Sequence, residues 1–107
     1  MEFEDNLIIV DFTRTERDLW IALERTIRSK PQPADEIQMF RRKLVDFYNI
    51  VATFVNTKRI CESLAKKLFR KELNGIMNDI DFLNNLKDEK HYELKLLYER
   101  WKNKKSQ

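Results

Sequence analysis

The sequence predicts an all-α protein, a four-helix antiparallel bundle, and three observations lead there. Glycine occurs once and proline twice in 107 residues, so turns are few and the elements between them long. Apolar residues recur at three- and four-residue spacing from Leu19 to Trp101, the period of a helix with one buried face. Hydrophobic residues make up 42% and charged residues 36%, which gives enough apolar surface for one core and excludes the composition of a disordered chain. At this length a single domain folds without metals or disulfides.

The opening stretch, LIIVDF, is β-branched at Ile8, Ile9 and Val10 and reads as a short extended N-terminal segment, residues 1–12. The bundle domain then covers 13–103, followed by a basic tail, 104–107. Thr13 with Glu16 three residues later has the form of a capping box, and Leu19, Trp20, Leu23 and Ile27 share a face, so a first helix is predicted over 14–29. Pro31 and Pro33 stop it. The second helix, 34–55, opens with Asp35 and Glu36, which suit the positive end of a helix. Its stripe runs Ile37, Phe40, Leu44, Phe47, Tyr48, Val51, Phe54 and Val55.

A third helix begins near Lys58. Its early stripe (Ile60, Leu64, Ala65, Leu68, Phe69) and its late one (Leu73, Ile76, Ile80, Leu83) are out of phase by roughly 100° on a straight helix. That mismatch predicts a kink or split near Asn74-Gly75, where the one glycine stands. The stretch LNNLKDEK reads as a turn with Asp88 as an N-cap. The fourth helix, 90–103, carries Leu94, Leu97, Tyr98 and Trp101 on one face.

Catalytic chemistry finds little footing. His91 is the lone histidine, so no histidine pair can bind metal or share proton transfer, and it reads as a solvated or capping residue. Cys61 falls on the apolar side of its helix and reads as a buried structural thiol. It cannot form an internal disulfide, which fits a reducing, cytoplasmic setting. The acidic opening MEFEDNLIIV lacks the form of a signal peptide or a membrane span. Asp79 and Asp81 sit two apart and point away from each other on a helix. With one glycine, neither a dinucleotide fingerprint nor a phosphate-binding loop is possible. The chain is thus expected to be no enzyme and to need no cofactor or metal.

What stands out is charge. Net charge is only +3, yet it is segregated along the chain. Residues 1–12 hold Glu2, Glu4, Asp5 and Asp11 and no base. Residues 58–71 hold Lys58, Arg59, Lys66, Lys67, Arg70 and Lys71 against Glu62 alone, and Arg100, Lys102, Lys104 and Lys105 crowd the end. An ordinary wet helix face mixes signs for i,i+4 pairs. Arg59, Lys66, Lys67, Arg70 and Lys71 are therefore the expected partner-binding residues. Apolar residues off the core stripes (Met39, Val45, Ile50, Tyr92 and Leu96) make a candidate apolar interface, for a partner or for a homodimer.

The stretch KLVDFYNIVATFVNTKRICESLAKKLFRKEL, with YELKLLYERW after it, is similar to a family of small bacterial and phage helical domains of unknown function. Asp46 to Asn49 stand in the slot of that family's first helix, Asn56 to Glu62 in its turn, and Tyr92 to Trp101 in its last helix. The family's turn has a glycine where this chain has Lys58-Arg59. The resemblance implies a helical bundle and no particular activity. Together these features lead us to expect a protein-binding module, of the kind a phage or mobile element encodes to regulate or inhibit a host protein. Nucleic-acid binding through 58–71 and the basic tail, or self-association, are the alternatives.

Overall fold

A computed structural model describes the backbone of residues 2–103 and the side chains of 7–102. The basic tail, 104–107, lies outside the described residues. Five helices follow in order: α1 (Glu2–Arg28), α2 (Ala34–Asn56), α3 (Glu62–Ile76), α4 (Ile80–Leu83) and α5 (Tyr92–Asn103). The all-α class stands. The architecture is centred on α2, against which each of the other four packs. Leu44, Tyr48, Val51 and Ala52 are wholly buried there, and α2's apolar stripe runs as the sequence predicts.

The extended N-terminal segment is a correction. α1 runs unbroken from Glu2, through the expected boundary at residues 12–13. Ile8, Ile9 and Phe12 continue the stripe of Leu19, Trp20 and Leu23 two and three turns upstream, so helix lets all of them reach α2. Phe12 meets Phe47 and Phe54 edge-on, with centroids 5.8 and 5.2 Å apart. That burial overrides the β-branched preference of Ile8 to Val10, which had no neighbouring strand to satisfy. Thr13 consequently caps nothing. Its hydroxyl donates to the Val10 carbonyl within the helix, 2.9 Å away.

α2 ends where the sequence places its end, and the geometry of that end delays α3 by four residues. Thr57 is the C-cap, and Lys58 takes the left-handed conformation at φ 61°. The Lys58 N–H donates to the Val55 carbonyl at 3.0 Å and the Arg59 N–H to the Phe54 carbonyl at 2.8 Å. These are the two bonds of a Schellman motif, and the Arg59 guanidinium lies 4.6 Å from the Phe54 ring centroid, closing it. Ile60 then plugs the core.

The predicted split arrives slightly late. α3 passes through Asn74-Gly75 and stops at Ile76, and Met77 to Asp79 turn the chain. Asp79 caps α4, its carboxylate accepting the Asp81 N–H at 2.9 Å. The turn re-phases the face, so Phe82 is buried and Ile80, expected inside, is 68% exposed.

α5 owes its start to α2. The Asn49 side chain accepts the Leu94 N–H at 3.0 Å and donates to the Lys90 carbonyl at 3.2 Å. It thus does across space what an N-cap side chain does locally. Asn56, two turns on, donates to the Glu93 carbonyl at 3.1 Å and to its carboxylate at 2.8 Å. Asp88, the expected N-cap, instead receives the Lys95 ammonium at 2.6 Å. That bond and the nearby positive charge hold its carboxyl below the usual range.

Candidate binding cleft

Four of the five residues expected to bind a partner come together. Lys66, Lys67, Arg70 and Lys71 project from α3 along one wall of a cleft of about 620 Å³ between α3 and α5. Tyr98, Trp101 and Lys102 of α5 form the opposite wall, and Leu73 and Asn74 complete the lining. Among the described residues, five cations and no carboxylate line this space. Among the described residues, none of the four α3 cations has a hydrogen-bonding or ion-pairing partner.

The two acids of α3 explain the one-signed charge, because both lie outside the cleft. Glu62 receives a bidentate pair from Arg100, at 2.9 and 3.0 Å, and the Trp101 indole N–H at 2.9 Å. Arg100 also donates to the Asn56 side chain at 2.8 Å, which ties α2, α3 and α5 together. Arg100 therefore serves the fold rather than the basic surface. Glu72 lines a different cleft, with Glu16, Arg17, Trp20 and Glu24. In that second cleft the Tyr48 hydroxyl donates to Glu16 at 2.5 Å and accepts the Trp20 indole N–H at 2.9 Å. Burial raises the Glu16 pKa above its ordinary 4.5, the bond from Tyr48 opposes that, and Glu72 adds to the rise. Burial, reinforced by Glu16, pushes the Tyr48 phenol far above its usual range.

Arg59, the fifth expected residue, does not line the cleft. Its position in the Schellman motif sets its guanidinium on Phe54 instead. Lys102 lies 5.3 Å from the Tyr98 ring centroid and pairs with Glu99 at 3.4 Å. Trp101 is only 2% exposed. Of the two aromatic residues in the α5 wall, Trp101 thus presents no open ring and the Tyr98 ring carries Lys102.

The expected apolar interface divides. Val45 is a correction, since it is buried in the core, turned inward beside Leu44 by the width of α2's contact with its neighbours. Met39 is half-buried. Ile50, Tyr92 and Leu96 are exposed.

His91 and Cys61 exchange the places expected of them. His91 is buried, its Nδ1 accepting the Lys87 N–H at 2.8 Å and its Nε2 facing an Asp46 oxygen at 2.7 Å. A backbone N–H only donates, so the ring's proton sits on Nε2 and is given to Asp46. Cys61 is exposed because α3 starts one residue after it, which removes it from the helical face it was assigned to. The sequence signal for the Asp46–His91 pair was a lone acid inside the apolar run LVDFY. Nothing in spacing pointed from it to residue 91. Among the described residues, no three His, Cys, Asp or Glu side chains gather as a metal-binding group, and no helix is long and apolar enough to cross a membrane.

No family model, curated protein or solved structure matches this chain. The cleft's own chemistry therefore carries the functional argument.

Proposed function

We propose that the chain is a non-catalytic binding module that docks an acidic segment of a partner protein in the α3–α5 cleft. The observation behind this is a wall of four cations with no ion-pairing partner among the described residues. Like charges within six residues of one helix repel one another, and an anionic ligand turns that repulsion into attraction. The exposed Ile50, Tyr92 and Leu96 offer a second, apolar contact. A small regulator or inhibitor of another protein in the cytoplasm, including one encoded by a phage or mobile element, fits this reading.

Nucleic acid is the second reading, favoured by the same cations. Two features weigh against it. Single strands are held largely by stacking on open aromatic faces, and here Trp101 is buried and Tyr98 carries Lys102. Lys66 to Lys71 span only about 7.5 Å along the helix axis, room for few phosphates.

Fluorescence anisotropy with a labelled oligoglutamate peptide and a duplex DNA of matched charge separates the two. Peptide binding that is lost in the Lys67→Glu, Arg70→Glu double variant supports acidic-protein docking. Tighter binding of the duplex at the same salt concentration supports the second reading. Binding of neither refutes the cleft as an anion site.

A further inference from the structure

We infer that a second copy of this chain fills the cleft of the unliganded protein with the acidic opening of its α1. This rests on the cleft being an acid-binding site and adds what occupies it. The two halves of one charge pattern carry the inference. Among the described residues, the cleft presents five cations and no acid. Residues 1–12 carry four acids and no base, and α1 begins at Glu2.

The inner side of this part of α1 is engaged by α2, through Ile9 and Phe12. Its outer side is uncovered. Leu7 is 68% exposed, Val10 is 50% exposed, and Asp11 is exposed beside them. At 100° per residue these three lie within about a third of the helix circumference. The result is an apolar ridge edged by Asp11, which suits a cleft lined by cations and by the half-buried Tyr98.

Lengths agree as well. Residues 2–11 rise about 14 Å, and residues 66–74 of α3 about 12 Å. Arg14, exposed one turn further along α1, limits how far the helix can lie in the cleft. Within a single copy, α1 packs chiefly on α2 and leaves the cleft open. The two surfaces differ, so the contact is head-to-tail and propagates unless rotation closes it into a ring. A partner with an acidic segment competes with this self-docking, which makes self-association a brake on partner binding.

Sedimentation equilibrium tests it by charge exchange. At about 0.01 M salt the mass of the wild-type chain rises with concentration above 13.1 kDa, and at about 1 M it returns to that value. Lys67→Glu with Arg70→Glu, and separately Glu4→Lys with Asp11→Lys, each weaken self-association by about tenfold or more. Mixing the two reversed variants restores association, because each supplies the sign the other lacks. Circular dichroism first confirms that both variants remain helical.

A wild-type chain that stays at 13.1 kDa, a reversed variant that still associates, or a mixture that does not, overturns the inference. The oligoglutamate peptide, bound to the Glu4→Lys, Asp11→Lys variant, reads the cleft alone. If it binds while the wild-type chain stays monomeric, only self-docking falls. If it does not bind, the acid-binding reading falls with it.

Discussion

Two partly buried polar pairs show what individual side chains contribute. Asp46 accepts the His91 Nε2–H at 2.7 Å, and its partner's ring is sealed from water. Asp46→Ala leaves that N–H without an acceptor and is expected to cost about 1–3 kcal/mol, whereas Asp46→Asn keeps an oxygen there and costs less. Urea denaturation of the two variants gives the comparison. Glu16 behaves oppositely. Its pKa is higher in the folded chain than in the unfolded, so its contribution is fully present below the ordinary value and is lost as pH rises through the raised one. Glu16→Gln retains an acceptor for Tyr48 and removes the half-buried charge. Its stability relative to wild type is expected to rise as pH climbs above 4.5 and to match wild type below it. Thermal melts across that interval check the sign, and an unchanging difference at every pH refutes it. Neither pair was legible beforehand, because each joins residues more than thirty positions apart.

Helix ends offer cleaner tests than helix middles. Lys58 holds a left-handed conformation at the C′ position of α2, where a β-carbon costs about 1–2 kcal/mol and glycine costs little. Lys58→Gly is expected to raise stability by up to about 1 kcal/mol, part of the gain being offset by a freer unfolded chain. Gly75 is helical, and a β-carbon there meets no atom within 4 Å beyond its chain neighbours and its own helix backbone. Gly75→Ala is expected to add about 0.5–1 kcal/mol by propensity alone. A loss on either substitution, read from a denaturant midpoint, contradicts the geometry. Periodicity made α2 and α5 legible almost to the residue, since their stripes run unbroken. It also placed the α3–α4 break within about two residues, the usual uncertainty of helix ends. The failures were at places where local preference and tertiary burial disagree. The β-branched run Ile8 to Val10 yielded to packing on α2, and a Schellman turn, which no glycine announced, delayed α3 and exposed Cys61.

The whole molecule separates its charges, and that should show in its response to salt. Among the described residues the four cleft cations of α3 have no ion-pairing partner and repel one another, while pairs such as Arg100 with Glu62 are partly buried and screened less. Raising salt from about 0.01 M to about 0.15 M is therefore expected to raise the melting temperature. Arg70→Gln should reduce that gain, and an equal gain in the variant argues against cleft repulsion as its source. The charge asymmetry was plain in the sequence, and so were Lys66, Lys67, Arg70 and Lys71. Their cleft was not, because its second wall comes from Tyr98, Trp101 and Lys102, brought opposite by the packing of α5 on α2 and α3. The chain's two tryptophans stand at different junctions, Trp20 against Phe82 between α1 and α4, and Trp101 beneath the cleft. Trp20→Phe consequently leaves a single indole under the lysine wall. Its emission is an optical reporter of the cleft, able to follow a ligand's arrival in real time without any attached dye.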